Sequence, residues 1–127
     1  YVLNMDGIQD PEHLKIMDFE PTTRTQHSEE MSKIIKQAAD ECNVKVSVMG
    51  SDPMDKLVSV ISGGTDATAF SKAKIRATSI VGMDMIAAAK YYHQTTDTVD
   101  KILPGALENT FKLLVKTIEV IGRKKID

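Results

Sequence analysis

The chain has 127 residues, one domain's worth, and its 42% hydrophobic and 27% charged residues are the balance of a soluble globular domain rather than a disordered tail. With 16 Lys and Arg against 18 Asp and Glu, the net charge of -2 offers no basic field to nucleic acid or a membrane surface, and no apolar run is long enough to cross a bilayer. A single cysteine, Cys42, excludes an internal disulfide and a cysteine-based zinc site, and 5% aromatics without Trp argue against stacking platforms for bases or sugars.

Tyr1 to Met5 is a short apolar run closed by Asp6-Gly7, which suits a buried strand ending in a tight turn. It opens in mid-strand style without an initiator Met, and reads like the back part of something longer. After the break at Asp10-Pro11, Leu14 to Phe19 alternates apolar and polar residues and reads as a second strand, with an edge position one of its options. Pro21 to His27 is polar and Thr-rich, hence a loop. A helix follows: Ser28 caps it, Glu29 and Glu30 oppose the dipole's positive end, and Met31, Ile34, Ile35, Ala38, Ala39 and Cys42 recur at helical spacing. Cys42 on that apolar face reads as a small core residue. Asn43 is a left-handed stop, and Val44, Val46 and Val48 make the next strand.

Gly50 to Pro53 is a turn. Met54 to Ile61 fits either a helix begun by Asp52-Pro53 or a strand through Leu57 to Ile61. Ser62 to Asp66 is a loop that feeds a short helix through Ala67, Phe70 and Ala73. Ile75 to Val81 is a strand ending at Gly82. Met83 to Leu103 is a long connection of little periodicity, the kind that is functional or mobile in compact domains. Leu107, Phe111, Leu114, Val115, Ile118 and Ile121 form an amphipathic helix closed by Gly122 and a basic tail. Strands and helices alternate, which makes the class α/β with a sheet flanked by helices.

Three places combine polar chemistry with turn-forming sequence. Asp6 stands at a strand's carboxyl end, where ligands collect in open α/β sheets, although an Asp there also serves as a turn former. Gly63-Gly64-Thr65-Asp66 lets backbone approach a ligand closely, and Asp66 reads first as a helix cap; the spacing is not that of a phosphate loop. Tyr91 to Thr98 brings phenols, the His93 imidazole and the Asp97 carboxylate into the longest irregular segment, and imidazole is a common zinc ligand. His13, in a turn, and His27, beside the first helix's cap, receive no role, and the seven methionines are scattered.

In that order the three places resemble zinc-dependent exopeptidases of the type that includes bacterial leucyl aminopeptidases, glutamate carboxypeptidase and the transferrin receptor ectodomain, metallopeptidase family twenty-eight. Tyr92-His93-Gln94-Thr95-Thr96-Asp97-Thr98-Val99-Asp100-Lys101-Ile102 is similar to the family's His-Thr/Ser-x-x-Asp-Thr-x-x-x-Ile stretch. Gly64 to Ala73 is similar to its Ser-Asp-His-x-x-Phe helix start, with Ala67 where many relatives carry His. Val2 to Gly7 is similar to its Asn-Leu-Asp-Met strand end.

The resemblance implies a mixed-sheet α/β/α domain of which residues 1–127 are the C-terminal part. It implies two zinc ions sharing a bridging carboxylate and water, with Asp6 a ligand of one and His93 of the other. Tyr92 would hydrogen-bond the oxyanion of the tetrahedral intermediate, and Asp66 would orient a ligand, His93, from behind. The remaining ligands and the general base would belong to an N-terminal part of the same domain, so these residues alone would be inactive. The implied activity is release of N-terminal residues from peptides, with carboxypeptidase action left open. The implied partners are a peptide substrate and the rest of the domain; a homo-oligomer is left open, and neither nucleic acid nor membrane is expected. Two other readings stand beside it: a non-catalytic receptor or scaffold relative of the same fold, and an unrelated small α/β binding module.

Overall fold

The computed structural model describes every residue except 52, 62 and 127, and leaves the side chains of residues 59, 61, 125 and 126 undescribed. In chain order the elements are β1 (Val2–Ile8), β2 (Leu14–Met17), β3 (Phe19–Glu20), β4 (Thr25–Gln26), α1 (Glu29–Cys42), β5 (Ser47–Val48), α2 (Pro53–Ile61), α3 (Ala67–Lys72), β6 (Ala77–Gly82), α4 (Met85–Ala88) and α5 (Ala106–Ile126). Single 3-10 turns at Pro11–His13 and Val99–Lys101 fill the connections. The main sheet runs β1-β6-β2-β5 and is mixed: β1 is parallel to β6, β6 antiparallel to β2, and β2 parallel to β5. The α/β class with a mixed sheet is thus the observed one, and among the described residues no helix is long and apolar enough to cross a membrane.

Strand alternation sorts the sheet into two faces. Leu3, Leu14, Ile16 and Ile80 point to the side where α1 and α5 pack, and there they join Met31, Ile34, Ile35, Ala38, Leu113 and Val120 in the main core. Asn4, Asp6, Lys15, Met17, Ser79 and Val81 occupy the opposite face. Their partners are the loop before α3, through Ser79 and Thr65, and α2, through Lys15 and Asp55. A register shift between Asp6 and Ile8 decides where the strand's last side chain ends up. Gly7, at φ +58, is the extra residue of this bulge, and it returns Ile8 to the core face while Asp6 stays opposite Val81 on the other.

Helix α1 forms as its sequence requires. The Ser28 side chain accepts from Met31 N, Asn43 takes the left-handed conformation at φ 53, and the six buried residues recur at helical spacing. Cys42 is half-buried against the core, with its thiol near Ala39 O.

Several expectations are corrected. β1 continues through Asp6-Gly7 because the bulge absorbs the turn residue. β2 is interior, between β6 and β5; Lys15 is covered by its ion pair with Asp55, so polar alternation there does not mark an edge. The expected loop from Pro21 to His27 holds β4 and the turn that pairs it with β3 in a hairpin, and Glu20 and His27 on either side of that turn are buried. Of Val44 to Val48 only Ser47 and Val48 pair as a strand. Pro53 to Ile61 is a helix. Gly122 does not end α5, which runs on to Ile126. The expected turn at Asp52 and loop at Ser62 fall partly outside the described residues.

Candidate active site

A cleft opens where parallel β1 and β6 end at their carboxyl termini, the position that strand topology favours for ligands. Asp6 and Gly7 of β1, Val81 of β6, Gly63-Gly64-Thr65 from the loop before α3, and Tyr92 face one another across it. Met17, Met49, Met83 and Met85 supply most of the apolar wall. Met83 closes over Gly7, where a Cβ would meet its methyl carbon at 3.2 Å. A second cleft, lined by His13, Lys15, Asp55 and Asp84, shares Met49, Met83 and Met85 as its dividing wall and adds Met54. Five of the seven methionines therefore surround these two clefts, which their scattered spacing in sequence hides.

Asp6 is exposed on the rim, and Tyr92 is half-buried opposite it. Burial raises the Tyr92 phenol above its ordinary value of 10.0, and the charge of Asp6 adds to the rise. At neutral pH Tyr92 therefore carries its proton and can donate it in a hydrogen bond. His93 follows in a left-handed conformation, φ 58, which folds its ring back onto Tyr92 at 3.9 Å between centroids and 20° between planes. The segment that carries both rings is tied down at its base. Tyr92 N donates to Ala88 O at 2.8 Å, Tyr91 Oη donates to Gln9 Oε1 at 3.0 Å, and Gln9 Nε2 donates to Asp97 Oδ1 at 3.3 Å. Asp84 caps α4 just before it, accepting from Ile86 N and Ala87 N.

The cleft thus brings Asp6 and Tyr92 together, with His93 stacked behind Tyr92 and exposed. Asp66 stands exposed at the start of α3, and its side chain makes no capping bond. Its backbone is already helical, at φ -62 and ψ -22, whereas a capping residue needs the extended region for its oxygen to reach the next amides.

The most heavily bonded group near the cleft was invisible to the sequence reading. Glu20 and His27 have no side-chain exposure and meet at 2.9 Å between Oε1 and Nε2. Glu20 also accepts from Thr65 N at 3.0 Å, Thr68 Oγ1 at 2.7 Å, Thr23 Oγ1 at 3.3 Å and the Thr65 hydroxyl. Burial pushes its carboxyl up, but the bonds from His27, Thr65 and Thr68 outweigh burial and lower it to about 2. The one sequence signal was a Glu and a His flanking a run of threonines, with the partners Thr65 and Thr68 some forty residues away.

Zinc takes about four ligands, with at least three from protein even in catalytic sites. Among the described residues no three His, Cys, Asp or Glu side chains gather to hold a metal ion. Asp6 and His93 are oxygen and nitrogen donors of the right kind, but these residues do not by themselves make up a zinc site.

Comparison with known proteins found no match among curated proteins or solved structures. A family model does match, that of peptidase family M28, over residues 1–118. That family is in general one of metal-dependent peptidases, and the chain, with its cleft at the carboxyl ends of β1 and β6, is a member of peptidase family M28.

Proposed function

We propose that this chain forms part of the active site of a zinc-dependent aminopeptidase of the leucyl aminopeptidase, glutamate carboxypeptidase and transferrin receptor type. Asp6 and His93 each give one ligand to a two-zinc site, Tyr92 steadies the oxyanion, and Asp66 orients His93. In this reading the other ligands and the general base come from an N-terminal part of the same domain. The observation that carries this reading is the cleft itself: Asp6 and a protonated Tyr92 share it at the end of parallel strands, with His93 stacked on that Tyr.

Each residue has a task that follows from its surroundings. The Tyr92 hydroxyl donates to the scissile carbonyl oxygen as it gains charge. The methionine wall receives an apolar substrate side chain and excludes water from the carbonyl, since thioethers adapt to irregular apolar shapes. Gly63 and Gly64 let a peptide backbone come close to the opposite wall.

The test is hydrolysis of short peptides with a free or an acetylated N-terminus by the complete domain that carries these residues, with metal analysis of the same protein. Release of the first residue from the free peptide only, lost on chelation and restored by zinc, is the expected result. Release from the carboxyl end instead would make it a carboxypeptidase. A protein without bound metal or hydrolysis would favour the non-catalytic relative of the same fold.

A further inference from the structure

Burying a charge is costly unless its surroundings are built for it, and the surroundings of Glu20 are. Five donors converge on its two oxygens: His27 and the Thr65 hydroxyl on Oε1, and Thr65 N, Thr68 and Thr23 on Oε2. An ionised carboxylate only accepts, and Glu20 stays ionised because its carboxyl lies at about 2. The direction of the bonds from His27, Thr65 and Thr68 is therefore fixed.

His27 carries a hydrogen on Nε2. The Thr65 hydroxyl points its hydrogen at Glu20, so its lone pairs accept from Ser79 Oγ at 2.6 Å. Ser79 in turn accepts from Asn4 Nδ2 at 3.2 Å. A one-way relay of hydrogen bonds thus runs from Asn4 through Ser79 and Thr65 to Glu20. Asn4 lies two residues before Asp6 on the same face of β1, and Thr65 lines the cleft that Asp6 faces. The loop also comes unusually close to the carboxylate. A Cβ at Gly64 would lie 3.0 Å from Glu20 Oε2.

We propose that Glu20, supported by His27, is the positioning residue of the cleft, anchoring the Gly63–Thr65 wall to β1 and β6 opposite Asp6 and Tyr92. The anchor itself is independent of the reaction. Its catalytic consequence rests on the peptidase reading above: a wall that drifts by about 1 Å misplaces the substrate carbonyl, which can cost about a hundredfold in rate.

Amide hydrogen exchange by NMR tests the anchor without any activity. Glu20→Gln keeps the length of the side chain but replaces an accepting oxygen by a donating NH2. The expected result is that Thr65 N–H exchanges about tenfold faster or more, while Ile34 and Ile35 in α1 stay within about twofold of wild type. Glu20→Asp, which keeps the charge, should recover part of the Thr65 protection. An unchanged Thr65 rate, or equal acceleration at Ile34 and Ile35, would overturn the anchor. Should Glu20→Gln fail to fold, Thr68→Val decides the question. It removes one donor and keeps the carboxylate, and the anchor requires faster exchange at Thr65 there too; no change overturns it.

In the zinc-loaded protein, Glu20→Gln should lower kcat for N-terminal release by about tenfold or more and leave KM within about threefold. Unchanged kcat with a loosened Thr65 would refute the catalytic consequence and leave the anchor standing. A complete wild-type domain that hydrolyses nothing would refute the peptidase reading, while the exchange data still decide the anchor.

Discussion

Gly64→Ala adds one methyl group at the most crowded point of the cleft wall. Gly64 lies outside the left-handed region, so the cost comes from crowding and not from backbone strain. The new Cβ would stand 2.6 Å from Thr23 Cγ2 and 3.0 Å from Glu20 Oε2, both well inside ordinary contact distance. Neither neighbour retreats freely. Thr23 Oγ1 is bonded to Thr25 at 2.9 Å and to Glu20 and Thr68 at 3.3 Å, and Glu20 is held by its other donors. Overpacking of this kind costs about 1–3 kcal/mol, and breaking a hydrogen bond to a buried charge adds about 1–2 kcal/mol. A total of about 2–5 kcal/mol corresponds to a fall in Tm of roughly 7–19 °C for a chain of this length. Thermal unfolding followed by far-ultraviolet circular dichroism measures it. Gly122→Ala is the control, since a Cβ there meets nothing within 4 Å and the helix gains about 1 kcal/mol in propensity. Its Tm should rise by about 3–4 °C. A Gly64→Ala protein melting within about 2 °C of wild type would refute the argument that this loop is tightly held.

Three further outcomes are expected. Asn43 ends α1 in the left-handed region at φ 53, so Asn43→Val should destabilise by about 1–2 kcal/mol while Asn43→Gly is neutral or better, read from urea midpoints. The Glu20 carboxyl sits at about 2 in the folded chain against an ordinary 4.5, so its contribution is present above about 4.5 and is lost as pH falls toward 2. That window carries about 3 kcal/mol in wild type and none of it in Glu20→Gln, so equal pH slopes for the two proteins between pH 5 and 2.5 would contradict it. Tyr92→Phe should lower kcat for peptide hydrolysis by about 10-fold to 100-fold with little change in KM, and an unchanged kcat removes Tyr92 from the reaction.

What was legible in the sequence was local. Helix α1 carries its own cap, its own apolar stripe and its own stop within sixteen residues, so nothing distant had to be known. The carboxyl end of β1 and the Tyr92-His93 segment could be singled out because an acid at a strand end and a ring cluster in a long connection are conspicuous along the chain. Partners far apart in sequence were not legible. β2 alternates like an edge strand, yet it lies inside the sheet because Asp55, forty residues on, covers Lys15. Glu20 and His27 sit in a Thr-rich stretch that reads as solvated, and only the folded hairpin turns those threonines inward toward Thr68. Pro53 to Ile61 was open between strand and helix because its apolar residues are nearly contiguous. In the structure Leu57 and Val60 are both more than 60% exposed, which fits a surface helix begun by Pro53 and not a core strand.

Whether the cleft of this family member holds metal through Asp6 and His93 decides the roles proposed for both residues. Metal content after exhaustive dialysis, measured by plasma mass spectrometry on the complete domain that carries these residues and on its Asp6→Ala and His93→Ala variants, asks this most directly. The expected result is zinc retained by wild type and about one equivalent lost from each variant, with Tm of the metal-free proteins unchanged because both side chains are exposed. Equal zinc in all three proteins would contradict the assignment of both ligands.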